Sequence, residues 1–298
     1  MENQIAISGA SGWLGNQTIE VIEKITSAES PLLFTSNGRE IILRNLGKRE
    51  TQGFLDSQPP ASLEGFIHLA FLTRDKVETI GPKDFISTNL SLISKACQII
   101  ESSKPKWVVT VSSGAILDRS SGELESNIER NPYGFCKRVE ELLIAQSAQK
   151  VGADIVIGRL WGASGQLMPP NSAYALSDFI ISAHKEKKIN IKSGGKVFRR
   201  YLDAGEFMEV LIKAAISGKS LTINSGGPRV EIGDLADMVS EHFHEVEIQR
   251  PPALDHIDDY YPRGDEFENL ADELGVQLTG LKIQVSRTVN GHLASISD

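Results

Sequence analysis

The chain has 298 residues, 40% of them hydrophobic and 23% charged, an ordinary globular composition with enough length to bury a full core unaided by disulfides or a structural metal. A formal net charge of −8 and the lack of any long Lys/Arg block argue against a nucleic-acid partner, since counterion-driven binding needs a clustered basic face. Cys97 and Cys136 occur without a CxxC or a Cys/His cluster, which argues against a disulfide scaffold and against a metal site, and fits a reducing compartment. The opening MENQIAISGA has no basic region, and no apolar run approaches the roughly 18 residues of a membrane span. A cytoplasmic location without a membrane partner is the expectation.

Residues 4–8 read as a strand and 13–25 as an amphipathic helix, with Ile19, Val21, Ile22 and Ile25 spaced for one face. Between them lies Ser8-Gly9-Ala10-Ser11-Gly12-Trp13-Leu14-Gly15. Glycines there let the turn take positive φ and let a pyrophosphate approach bare backbone, while the helix N-terminus offers free N–H groups. The spacing is G-x-x-G-x-x-G, a departure from the ordinary G-x-G-x-x-G fingerprint. Gly9, Ser11, Gly12, Trp13, Leu14 and Gly15 are the expected dinucleotide contacts, with Gly15 giving close helix–strand contact.

Further strands are expected at 32–35 and 40–43. A carboxylate after the second strand would favour NAD, by bonding the adenosine ribose. The sequence instead runs Thr35-Ser36-Asn37-Gly38-Arg39, with no carboxylate before Glu40. Ser36 and Arg39 suit a 2′-phosphate, so NADP(H) is the expected cofactor and NAD(H) the alternative.

Residues 65–69 form another strand, followed by a helix over 83–100, a buried-type strand at 107–112, a helix over 133–150 and a strand at 154–160. Strands alternating with helices of this length predict an α/β fold, a doubly wound parallel sheet with helices on both faces. After residue 162 the alternation breaks, and Gly-, Pro- and Ser-rich segments separate helices expected at 175–187, 204–217 and 232–243. This predicts a cofactor domain over 1–163 with 204–224, and a smaller, discontinuous substrate lobe over 164–203 with 225–298.

Tyr133 and Lys137 stand four residues apart, one turn apart on a helix. A free phenol has a pKa of about 10, too high for proton exchange near neutrality. A neighbouring ammonium favours the phenolate, so the tyrosine can serve as general acid to a carbonyl or general base to an alcohol. Val111-Ser112-Ser113-Gly114 ends the preceding strand, and a serine there is placed to hydrogen-bond the oxygen where charge develops. His68, in an apolar strand, reads as a satisfied core histidine.

Together these features resemble the extended short-chain dehydrogenase/reductases, in particular the nucleotide-sugar epimerases, dehydratases and reductases. The resemblance runs through SGASGWLG, then Ile67-His68-Leu69-Ala70-Phe71, where Phe71 replaces an alanine, then Val111-Ser112-Ser113-Gly114-Ala115, YGFCK and Arg159-Leu160-Trp161-Gly162. It implies cofactor contacts at Leu69, Ala70, Tyr133 and Lys137, catalytic roles for Ser113, Tyr133 and Lys137, and support of the site by Asn89. Phe198-Arg199-Arg200 resembles the segment whose arginine holds a nucleotide diphosphate, which points to Arg199 as a substrate contact beside Ser113. Gly114-Ala115 departs from the Asp-Glu pair of the 4,6-dehydratases. Gly162, where many sugar-nucleotide enzymes carry Asn, departs as well.

The resemblance implies an NAD(P)-dependent oxidoreductase acting on a small molecule, a nucleotide sugar, in a homodimer built on the helices around 87–100 and 133–150. Reduction of a keto group by NADPH through Ser113, Tyr133 and Lys137 is the favoured expectation. An epimerase with retained NAD is the first alternative, and a non-catalytic NAD(P)-binding regulator or scaffold the second.

Overall fold

A computed structural model describes residues 4–26, 30–118, 122–170 and 174–297. Residues 1–3, which open the stretch read as lacking a leader, and residues 171–173 of the Gly/Pro-rich segment lie outside the described residues. The chain divides into two compact units. The first comprises Met1–Leu160 and Met208–Ile223, the second Trp161–Phe207 and Asn224–Asp298.

The first unit is an α/β Rossmann-like sheet of seven strands. In chain order its strands are β1 (Ile5–Ser8), β2 (Leu32–Thr35), β3 (Gln52–Gly53), β4 (Gly65–His68), β5 (Trp107–Ser113), β6 (Asp154–Leu160) and β7 (Leu221–Asn224). Their spatial order is β7-β6-β5-β4-β1-β2-β3. The pairings are parallel, with Ile5 opposite Gly65 and Ser8 opposite His68, and with Trp107 opposite Asp154. Every residue of β1 and β4 is buried, as expected of parallel strands covered on both faces.

The helices α1 (Trp13–Ile25), α2 (Pro82–Ser103) and α3 (Pro132–Val151) connect these strands. Phe34, Phe66, Val108, Ile99, Ile100, Ile144 and Ala148 belong to one buried cluster that joins the sheet to α2 and α3. Each large side chain so buried contributes about 1.5–3 kcal/mol. The chain runs from β1 outward to β2 and β3, then crosses back to β4 on the other side of β1. Ligands of open α/β sheets bind beyond the carboxyl ends of the strands at such a reversal.

The second unit packs helices Ala175–Glu186, Ile232–Ser240 and Leu281–Ser297 around Leu176, Ile180, Leu235, Val239, Val285 and Val289. Strand Lys196–Arg200 lies between Arg229–Glu231, antiparallel, and Ile257–Asp259, parallel. The expected helices at 175–187 and 204–217 are present as Ala175–Glu186 and Ala204–Ile216, and the third ends at Ser240, short of 243. Glu266–Glu273 and Leu281–Ser297 are helices that hydrophobic periodicity alone left out. The strand expected at 40–43 is Ile41–Leu43, and it pairs with Gly47–Arg49 in a separate two-stranded sheet. Among the described residues no helix is long and apolar enough to cross a membrane.

Candidate functional site

The turn after β1 is built by two close approaches. Gly9 has φ 72°, and a Cβ there would stand 2.6 Å from the Leu69 carbonyl carbon and 2.7 Å from the Ala70 nitrogen. A side chain would therefore meet both strain and backbone. Gly15 has an ordinary helical backbone, but a Cβ on it would lie 2.3 Å from the Gly9 oxygen. Asn16 ties the turn together, its Nδ2 donating to Ala10 O at 2.9 Å. Gly12 caps α1 without a side-chain hydrogen bond, so the first turn keeps backbone donors available for an anion. Ser11 and Gly12 are exposed, and Trp13 and Leu14 half-buried.

At the end of β2, Thr35 is buried and its Oγ1 meets Thr51 Oγ1 at 2.9 Å and accepts from Gly38 N at 3.1 Å. Ser36 and Arg39 are exposed, and the Arg39 amide donates to Asn37 Oδ1 at 3.2 Å. The turn is thus ordered by Thr35 and Asn37, leaving the side chains of Ser36 and Arg39 outward.

The start of α3 places the tyrosine and lysine. Asn131 caps the helix by accepting from Gly134 N at 2.9 Å, and Pro132 occupies the first turn, where no amide is needed. Lys137 is buried, and its Nζ donates to Val111 O and to Glu140 Oε2, both at 2.8 Å. The same ammonium lies 3.7 Å from the centre of the Phe71 ring, a cation–π contact. Tyr133, half-buried, meets that ring edge-on at 5.9 Å. Phe71 follows the Leu69–Ala70 segment that Gly9 abuts. Tyr133, Lys137 and the glycine turn therefore gather at the carboxyl ends of β1, β4 and β5.

Ser113 ends β5, and its Oγ accepts from Ala115 N at 3.2 Å, capping a short 3-10 turn. Its neighbour Ser112 is buried, with no hydrogen-bond partner for its Oγ among the described residues. Alternate strand residues face opposite ways, so only one of the two shares the open side of the sheet end. Asn89, fully buried in α2, accepts from Leu72 N at 2.8 Å and donates to Phe85 O at 3.1 Å. It fixes the backbone one residue past Phe71. Arg159 of β6 forms a two-pronged bond to Glu141, at 2.9 and 2.7 Å, which clamps α3 to the sheet.

Arg199 belongs to the second unit. Its guanidinium meets the Asp258 carboxylate at 3.1 and 2.8 Å and also donates to the Phe198 and Asp258 carbonyls. A diphosphate at Arg199 would compete with that carboxylate.

Two side chains near the pair carry more than the sequence reading gave them. Glu140 is fully buried one turn beyond Lys137, and His68 is fully buried beside it. Burial, reinforced by the charge of Lys137, pushes the imidazole of His68 down to about 3, and burial raises the carboxyl of Glu140 against the pull of Lys137. The available signal was spacing, since Glu140 follows Lys137 by three residues and must share its helix face. Among the described residues no group of three or more His, Cys, Asp or Glu side chains is arranged to hold a metal ion.

The family described as the NAD dependent epimerase/dehydratase family matches residues 5–233. Among solved structures, a UDP-N-acetylglucosamine 4-epimerase from Methanobrevibacter ruminantium M1, in complex with UDP-N-acetylmuramic acid, is similar with a TM-score of 0.79 at 17% identity, covering 99% of this chain and 100% of the other. MoeE5 in complex with UDP-glucose and NAD gives 0.75 at 17% identity, with 99% and 100% covered. DesIV, a dTDP-glucose 4,6-dehydratase from Streptomyces venezuelae with NAD and TYD bound, gives 0.72 at 15% identity, with 99% and 98% covered. At such identities the likeness establishes the fold. A comparison with curated protein sequences finds no match.

Proposed function

This chain belongs to the NAD dependent epimerase/dehydratase family, and from that premise we propose that it is an epimerase of a nucleotide-linked sugar that retains its NAD. The observation that carries the reading is the meeting of Tyr133 and Lys137 on one aromatic ring, Phe71, beside the glycine turn. The turn suits a dinucleotide because it offers uncapped helix donors and a backbone cradle that a Cβ at Gly9 would fill. Gly9, Ser11, Gly12, Trp13, Leu14, Gly15, Leu69 and Ala70 are its contacts in this reading.

When bound, the nicotinamide supplies hydride acceptor and donor chemistry. Tyr133 takes the proton of a sugar hydroxyl and returns it to the same oxygen once the ring has presented its other face. Ser113 donates a hydrogen bond to that oxygen, and Lys137 favours the deprotonated phenol. Asn89 keeps the segment around Phe71 in place. Gly114 and Ala115 supply no carboxyl group after Ser113, which favours epimerisation over the elimination of a 4,6-dehydratase.

A second reading, NADPH-dependent reduction of a keto sugar, is favoured by the exposed Ser36 and Arg39 at an end of β2 with no adjoining carboxylate. Assembly into a homodimer through α2 and α3 is supported by the exposed Leu90, Leu142 and Leu143.

The deciding experiment is incubation with a panel of UDP- and dTDP-sugars plus either NAD or NADPH. Sugar interconversion without net cofactor consumption supports the epimerase, and stoichiometric NADPH oxidation supports the reductase. A Tyr133→Phe variant should lose turnover by about 10²-fold or more while binding cofactor as before. Undiminished turnover in that variant would exclude Tyr133 as the proton-transfer group, whereas cofactor binding without turnover of any sugar by the parent would leave only the reading as a non-catalytic module.

A further inference from the structure

A carboxylate sealed inside the cofactor unit is the feature that the proposed chemistry leaves unused. Both oxygens of Glu140 are engaged. Oε2 accepts from Lys137 Nζ at 2.8 Å, while Oε1 accepts from Thr110 Oγ1 at 3.3 Å and faces His68 Nε2 at 3.5 Å. The imidazole is itself keyed from the other side. Ser8 Oγ accepts the backbone N–H groups of Leu69 at 3.2 Å and Ala70 at 3.3 Å, and stands 2.7 Å from His68 Nδ1. A hydroxyl has one hydrogen to give, so with two donors already received it donates to Nδ1. That assignment leaves the ring proton on Nε2, which lies 3.5 Å from Glu140 Oε1 but forms no hydrogen bond among the described residues.

A continuous buried line therefore runs from Ser8, at the foot of the glycine turn, through His68 and Glu140 to the ammonium of Lys137. An ammonium has three donors. Here Val111 O, Glu140 and the face of Phe71 account for all three. A charge buried this far persists only if paired, because an isolated buried lysine gives up its proton.

We propose that Glu140 is a positioning residue for the Tyr133–Lys137 pair: it fixes the ammonium beneath Phe71 and keeps it charged, with Thr110 bonding the carboxylate and His68 packed against it. This rests on the reading of Tyr133 and Lys137 as the catalytic pair. The titratable groups around the carboxylate are Lys137, Cys136 and Glu141 on α3, His68 on β4 and Cys97 on α2. Burial holds His68 neutral above about pH 3 and drives Cys136 up to about 11, burial also raises Cys97, and Glu141 is bound to Arg159. Lys137 is thus the cation that answers Glu140.

The test is Glu140→Gln, which preserves shape and an acceptor oxygen but removes the charge. The alkaline limb of the pH–turnover profile should move to lower pH by about one unit or more, with kcat reduced and the KM for the sugar nucleotide little changed. In parallel, the pH at which Lys137 is acylated by an amine-directed reagent, followed by mass spectrometry of its peptide, should fall by a similar amount. Identical limbs and identical acylation profiles in parent and variant would overturn the proposal. The acylation readout needs no substrate, so it stays decisive even if Tyr133→Phe shows that the catalytic reading fails. Should Glu140→Gln not fold, Thr110→Val removes one bond to the carboxylate with little change of volume. It should shift acylation in the same direction by less, and no shift there overturns the proposal equally.

Discussion

Gly15→Ala sets two opposed effects against each other at a position the turn depends on. Alanine is the better helix former, worth at most about 1 kcal/mol over glycine inside a helix. Against that gain, the new methyl would lie 2.3 Å from Gly9 O and 2.8 and 2.9 Å from backbone carbons of Ala10. These are main-chain atoms held between β1 and α1, with Ala10 N bonded to Phe34 O at 3.0 Å, and they cannot rotate aside as a side chain can. Forcing an extra methyl into such a contact costs about 1–3 kcal/mol or more, so the steric term wins. The expected net loss is about 1–2 kcal/mol, or roughly 2–8 °C in melting temperature for a domain of this size. Because α1 must retreat from the turn, NAD affinity should fall as well. Thermal unfolding with NAD titration by calorimetry measures both, and Gly280→Ala is the control, since among the described residues nothing lies within 4 Å of a Cβ at that glycine. A Gly15→Ala protein as stable as its parent, with unchanged NAD affinity, would refute the packing argument.

Stability should also depend on acid through His68. The unfolded chain binds a proton there near pH 6.5 that the folded chain refuses until about 3, so the contribution is complete above 6.5 and is lost as pH falls through that window. Glu140, raised by burial, works in the opposite sense. Urea unfolding of the parent should weaken by up to about 1.4 kcal/mol per pH unit below 6.5 and that of His68→Gln by less, and parallel slopes would sink this account. In the second unit, Thr288→Val leaves the buried Gly165 N–H without the acceptor it has at 2.9 Å, which should cost about 1–3 kcal/mol in the same assay, and a neutral result would mean that water replaces the bond.

Much of the first unit was legible because its signals are local. Continuous apolar strands such as β5, the 3.6-residue rhythm of α1, and the Tyr133/Lys137 spacing all lie within a few residues of one another. The helix Leu281–Ser297 was hidden for a chemical reason. Its buried face runs Leu281, Gln284, Val285, Thr288, Val289 and His292, at perfect helical spacing, yet half of those side chains are polar. They find partners at a distance, Gln284 in Ser164 at 2.7 Å and His292, through its Nε2, in Ser177 at 2.8 Å. Hydropathy registers polarity and cannot register a partner more than a hundred residues away. Glu140 escaped in the same way. In sequence it is one of two adjacent glutamates on a helix, and only the crossing of α3 over β4 and β5 brings His68 and Thr110 to it. Strand β3, two residues long, has no period to detect.

The order of strands has a consequence for synthesis on the ribosome. The outermost strand beside Asp154–Leu160 comes from residues 221–224, some sixty positions downstream. A nascent chain that has emerged only as far as Leu160 can already assemble everything from Gln52–Gly53 across to Asp154–Leu160, with one flank of that last strand bare. Such a flank is a template for any other extended peptide, so for the seconds needed to deliver the missing segment the growing polypeptide is most open to wrong association.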